Sequence, residues 1–198
     1  MLRIRKKRRR TGAESTTALI YQLKIALKDI RPPIWRRVLV PSDVNLATLH
    51  RIIQAVMGWA DYHLHEFAIG DVNYGPPSPS DWYPAKDERK ATLSQVAPKE
   101  GMKFTYTYDF GDGWEHVITV EKRLPPDPDA HYPVCIAGKR ACPPEDCGGV
   151  WGYANLLEII QNPRHEEYEE MMEWLGGEFD PEAFDLEVVN RALKRFSK

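Results

Sequence analysis

Tyr106-Thr107-Tyr108-Asp109-Phe110-Gly111-Asp112-Gly113-Trp114-Glu115-His116 is the stretch on which the fold turns. Upstream, Met102, Phe104, Tyr106, Tyr108 and Phe110 alternate with polar residues; downstream, Trp114, His116, Ile118 and Val120 do the same. Both are period-2 strand patterns, and Gly111-Asp112-Gly113 supplies a permissive turn between them. With a three-residue loop, Phe110 faces Trp114, Tyr108 faces His116, Tyr106 faces Ile118 and Phe104 faces Val120. Every large apolar residue then shares one face, whereas a slip by one residue would mix the faces. The same register sets Asp109 opposite Glu115. Two like charges so placed repel by up to about 1 kcal/mol, which calls for a basic side chain or a metal ion nearby.

Working outward, Tyr21, Leu23, Ile25 and Leu27 alternate as a first strand, and Ile34 to Val40 forms a second beyond Arg31-Pro32-Pro33. Asn45 is placed to cap a helix over Leu46–Met57 that Gly58 stops, with Leu46, Leu49, Ile52, Ile53 and Val56 as its apolar stripe. His50 lies beside that stripe as a packing or surface residue, and Trp59 plugs the core. His63 to Gly70 reads as a strand. Residues 75–92 read as a long Pro-rich loop with Trp82 and Tyr83 as contact candidates, and Ala91 to Ala97 as a short helical turn. Residues 125 to about 149 read as irregular. Helices follow over about 150–161, then 164–175, whose inner face is Tyr168, Met171, Met172 and Leu175. A last one runs from Leu186 to Phe196. Strand, strand, helix, strand, hairpin and helices is not a repeating β-α order. The expectation is an α+β fold: a mainly antiparallel sheet around a central hairpin, covered by helices, with helices at the C-terminus. Residues 18–198 are expected to form one domain behind a disordered basic tail over 1–17.

The chain has 27 basic and 29 acidic residues, a net of −2. Seven of the basic groups fall within residues 1–10 with no acid among them; setting those aside leaves 20 against 29, a net of −9. A basic arm on an acidic body offers non-specific nucleic-acid binding through residues 1–10, set against a solvated tail. No apolar run approaches a membrane span, so no membrane partner is expected. Three cysteines, with no CxxC pair, indicate a reducing compartment, and the expected location is the cytoplasm.

His63 and His65, at i and i+2, could share one strand face and chelate one ion, a divalent metal such as zinc. The alternative is a hydrogen-bonded core pair. His116 would complete the set if the hairpin lies beside that strand. Cys135, Cys142 and Cys147 are spaced wrongly for a self-contained zinc site, leaving either one or two thiolates (Cys135, Cys142) joining the histidines or small buried thiols. In a metal-dependent hydrolase or nuclease, Asp109, Asp112 and Glu115 would be ligands or bases and Glu145 or Asp146 a general base, so the catalytic candidates are Asp112, Glu145 and Asp146. The bland account of Glu145 and Asp146 is helix capping.

Tyr108-Asp109-Phe110-Gly111-Asp112-Gly113-Trp114-Glu115-His116, Cys142-Pro143-Pro144-Glu145-Asp146-Cys147-Gly148-Gly149 and Gly152-Tyr153 resemble the plasmid pRiA4b ORF-3-like family. Gly58-Trp59 and His63-Leu64-His65-Glu66-Phe67 extend the likeness over roughly residues 20–190. Some members carry the label of insertion-sequence passenger proteins, so the resemblance implies a plasmid- or mobile-element-associated accessory protein. It also strengthens the case that Gly148 and Gly149 admit a ligand or a neighbouring strand to the backbone amides. No phosphate loop, dinucleotide fingerprint, HExxH or GxSxG occurs. The leading expectation is therefore a non-catalytic binding or accessory module, with Tyr108, Asp109, Asp112, Trp114, Glu115, Gly148 and Gly149 as its binding residues. The metal-dependent hydrolase and the nucleic-acid arm stand as alternatives.

Overall fold

The structure, a computed structural model, describes residues 18–77 and 85–197. The basic arm over 1–10, the expected tail over 1–17, and Trp82 and Tyr83 lie outside the described residues. The elements run β1 (Ile20–Leu27), β2 (Trp35–Pro41), α1 (Leu46–Met57), β3 (His65–Ile69), β4 (Val72–Gly75) and β5 (Lys86–Asp87). A 3-10 turn (Glu88–Lys90) leads to α2 (Leu93–Val96), β6 (Lys103–Tyr108), β7 (Trp114–Leu124) and β8 (Val134–Lys139). Last come α3 (Gly149–Gln161), α4 (Tyr168–Trp174), α5 (Leu186–Leu193) and a closing 3-10 turn (Lys194–Phe196).

Among the described residues, eight strands form one sheet in the order β5-β4-β3-β6-β7-β1-β2-β8, antiparallel throughout except for the β4–β5 pair. This is the expected α+β class with the hairpin β6–β7 at the centre. Alternation decides which face is wet. Leu23, Ile25, Val38, Val40, Phe104 and Ile118 are buried. On the opposite face Glu121 accepts Gln22 Nε2 at 2.7 Å and the Arg37 guanidinium at 2.6 and 2.9 Å.

Helix α1 covers the apolar face. Asn45 Oδ1 accepts from Thr48 N at 2.9 Å, and Gly58, at φ 96°, closes the far end by donating to Gln54 O. Leu46, Leu49, Ile52, Ile53 and Val56 are fully buried, each contributing about 1.5–3 kcal/mol over exposure. The last turn of α1 holds no basic residue. The charge its carbonyl end attracts comes instead from β2: Arg36, buried, donates to Val56 O at 2.8 Å, Trp35 O at 2.9 Å and Lys139 O at 3.1 Å. Phe184 lies over its guanidinium at 4.7 Å.

Four expectations need correction. The hairpin pairs Tyr108 with Trp114, Tyr106 with His116 and Phe104 with Ile118, two residues away from the expected register. Asp109 is the cause. At φ 56° it leaves the ladder, accepts Gly111 N on Oδ1 at 2.9 Å and Gly113 N on its carbonyl, and donates its own N–H to Leu64 O. The loop thus becomes five residues, and Phe110 is exposed. Because the shift is two, the faces stay sorted. Glu115 lies opposite Thr107, not Asp109, and its cation is Lys28, 2.8 Å away. Second, β8 emerges from the stretch read as irregular and pairs with β2, β4 forms just ahead of the expected long loop, and β5 and the 3-10 turn occupy part of that loop. Third, α4 is shorter than 164–175, and its expected inner face of Tyr168, Met171, Met172 and Leu175 is the half-buried side but none of it is fully buried. Finally, of the last helix only Leu193 is buried.

Helix α5 lies against β8. There Asn190 Oδ1 accepts Cys135 N–H at 2.8 Å while Asn190 Nδ2 donates to Cys135 O at 2.9 Å.

Two core histidines set a pH limit. His116 donates Nδ1–H to Trp114 O at 3.0 Å, and complete burial pushes its pKa down to about 4. His50 is also pushed down to about 4, first by burial and then by repulsion from His65. Between pH 6.5 and 4 the unfolded chain binds protons that the fold refuses. Stability is thus whole above about pH 6.5 and is expected to fall as pH drops towards 4, by at most on the order of 3 kcal/mol per histidine. Urea unfolding across that range reads it; equal stability at pH 7 and pH 4.5 would contradict it.

Candidate functional site

The hairpin turn, the loop before β3 and the loop before α3 meet at His63. Its Nε2 lies 3.1 Å from Asp146 Oδ1, 3.6 Å from Asp109 Oδ2 and 3.9 Å from Glu145 Oε2. Although three carboxylates surround it, this nitrogen is buried and hydrogen-bonds to none of them. Both nearer carboxylates come from strained backbone, Asp109 and Asp146 each holding φ 56°. Asp109 is held there by Gly111 N–H on its side chain, Gly113 N–H on its carbonyl and its own N–H on Leu64 O. Asp109 is buried and Asp146 largely exposed, so the cluster opens to solvent on the Asp146 side.

Glu145 is held differently. Its Oε1 accepts Ala60 N–H at 2.8 Å, and the Tyr108 hydroxyl donates to the carboxylate at 3.2 Å while accepting Tyr62 N–H at 3.0 Å. Burial first, with the neighbouring Glu145 charge, pushes the Tyr108 hydroxyl up to about 12, so it stays a donor. Tyr62 and Leu64, on either side of His63, are exposed.

The expected histidine set is not brought together. His63 precedes β3, whereas His65 is inside it and directs Nε2 to Glu88 Oε2 at 2.8 Å. His116 sits in the core, edge-on to Trp59. His65 does meet a histidine, but it is His50: the rings stack at 3.4 Å with 4° between their planes. With Asp61 these form a close His-His-carboxylate group. Parallel rings aim their lone pairs in parallel, so one ion at zinc–nitrogen distance would sit roughly 50° out of each ring plane. Hydrogen bonding accounts for the group better. Gln54 Nε2 donates to Tyr106 Oη at 3.0 Å, the hydroxyl donates to His50 Nδ1 at 2.7 Å, and His50 Nε2–H donates to Asp61 Oδ1 at 2.8 Å. The network was hidden in the sequence: Glu88 sits in a stretch read as loop, and Asp61 carries no pattern.

The other candidates find structural roles. Asp112 Oδ2 accepts Gly148 N–H at 3.1 Å, so this carboxylate caps the start of α3. A methyl at Gly149 would collide with the Asp112 carbonyl, so the glycine pair admits the hairpin turn. Beside that contact a groove of about 820 Å³ runs between Arg31 and Trp151. Trp114 is buried and Glu115 pairs with Lys28. Cys135 and Cys142 flank Arg36, not His63, and burial pushes both thiols up, against thiolate ligation.

Residues 19–188 match the family model described as plasmid pRiA4b ORF-3-like protein. A relative in Sinorhizobium fredii (strain NBRC 101917 / NGR234), "Uncharacterized protein y4hQ", is 38% identical over 179 residues, 89% of this chain and 91% of its own. The crystal structure of a protein of unknown function, MM3350 from Methanosarcina mazei Go1, superposes with a TM-score of 0.79 at 44% identity. It covers 87% of this chain and 98% of its own.

Proposed function

The chain belongs to the plasmid pRiA4b ORF-3-like family, and within that fold we propose that it is a divalent-cation-binding module, with His63, Asp109 and Asp146 as ligands and Glu145 beside them. One observation carries the reading: a buried imidazole nitrogen without a hydrogen bond, facing carboxylate oxygens at 3.1 to 3.9 Å. An empty gathering of three carboxylates repels itself, and a doubly charged ion removes that repulsion while satisfying the nitrogen. One imidazole among carboxylates suits Mn²⁺ or Zn²⁺ better than a soft, thiolate-seeking ion. The role is accessory, in the cytoplasm, in keeping with a mobile-element passenger. No helix among the described residues is long and apolar enough to cross a membrane.

Isothermal titration of chelator-stripped protein with Mn²⁺ and Zn²⁺ tests this. A single strong site is expected, and His63→Ala should weaken it about 100-fold, near 3 kcal/mol, whereas Asp112→Ala should leave it in place. Equal affinities in the wild type and His63→Ala would remove the proposal.

A further inference from the structure

Resting on that cation site, we propose that the centre is hydrolytic, cleaving an amide or ester next to a basic group, with Glu145 as general base. Glu145 stands one step back from the ligand set. Its Oε2 is 3.9 Å from His63 Nε2, against 3.1 Å for Asp146 and 3.6 Å for Asp109. Donors from Ala60 and Tyr108 pin it there. A carboxylate pinned 3.9 Å from the His63 nitrogen is placed to accept a hydrogen bond from a water in the site. The cation, when bound, supplies Lewis acidity that lowers the pKa of that water and polarises a carbonyl. Glu145 takes the proton from the attacking water, its oxygen adds to the carbonyl carbon, and the C–N or C–O bond breaks. The proton then passes from Glu145 to the departing amine or alcohol.

Charge selects the substrate. Among the described residues no Lys or Arg pairs with Asp109, Glu145 or Asp146, so nothing beyond the ion neutralises the oxygens of a phosphodiester, as phosphoryl transfer requires. Behind Asp146 lies a cavity of about 300 Å³ lined by Cys147, Leu156, Glu167, Glu170, Met171 and Trp174. Carboxylates in its lining, an indole and apolar side chains suit an ammonium or guanidinium on an apolar stem. The same cavity rejects an acidic substituent.

The test uses chelator-stripped protein reloaded with Mn²⁺ or Zn²⁺, given lysine p-nitroanilide, glutamate p-nitroanilide and bis(p-nitrophenyl) phosphate. Cation-dependent cleavage of the lysine anilide is expected, at least tenfold faster than the glutamate compound. Glu145→Gln should lose at least 100-fold in turnover at saturating cation while still binding the cation, more weakly than wild type, which also shows that the variant is folded. Glu167→Gln with Glu170→Gln should erase the lysine preference. Cation binding without turnover of any probe overturns the hydrolytic inference and leaves the cation site standing; no cation binding overturns both. Preferred cleavage of the phosphodiester overturns the substrate class, and unchanged turnover in Glu145→Gln overturns the role given to Glu145.

Discussion

Gly149→Ala is expected to destabilise the fold by about 3 kcal/mol and to weaken cation binding about tenfold. Two costs add. Alanine at φ 67° pays about 1 kcal/mol for a left-handed backbone. Its methyl group would also run into the Asp112 carbonyl oxygen, a backbone atom of the hairpin turn. That turn cannot yield cheaply, because the Asp109 amide is fixed to Leu64 O and its carbonyl to Gly113 N. The collision therefore separates the start of α3 from the hairpin. Asp146 precedes one partner and Asp109 the other, so the ion's ligands part as well. Gly176→Ala is the control: its φ of 71° carries the same backbone penalty with nothing within 4 Å of the added methyl. Urea unfolding should give that variant a loss near 1 kcal/mol. Equal losses for the two would show that the contact with Asp112 does not matter.

Arg36→Ala should cost about 3–5 kcal/mol by the same measurement. The guanidinium holds three carbonyls from α1, β2 and the end of β8. Burial lowers its pKa, and no carboxylate is needed to keep it charged because the carbonyl end of α1 faces it. Removing it strands buried acceptors and empties the space under Phe184. Arg36→Lys should recover less than half of the loss, since an ammonium cannot present a planar fork to three separated oxygens. A loss below about 1 kcal/mol in Arg36→Ala would mean that water replaces the guanidinium without difficulty.

The parts of the molecule legible in the sequence are those decided locally. Helix α1 begins after Asn45 and ends at Gly58 as its capping chemistry dictates, and alternation sorted the faces of the hairpin correctly. The exact partner across the hairpin was not local. It depended on Asp109 folding its side chain back onto Gly111 and binding Leu64, far away in sequence. Strand β8 is not legible in the sequence because prolines and cysteines surround it and its pairing with β2 comes from the sheet, not from its own pattern. Helix α4 turns its methionines and tyrosine inward as their spacing indicates, but so short a helix leaves them only half-buried. At the site, the sequence points to His63, Glu145 and Asp146, yet its spacing groups His63 with His65 and His116. Period-2 logic joined neighbours on a strand, but β3 starts only at His65, which leaves His63 to the loops.

The Asn190 carboxamide on Cys135 carries a consequence for how copies of this chain behave at high concentration. An unfinished sheet border invites another molecule to continue the ladder, and proteins that leave it bare tend to gel or polymerise. Here one side chain occupies both the donor and the acceptor of Cys135, acting as a single counterfeit residue of a ninth strand. Growth of the sheet from molecule to molecule would have to evict it first, which favours particles that remain separate in a crowded solution.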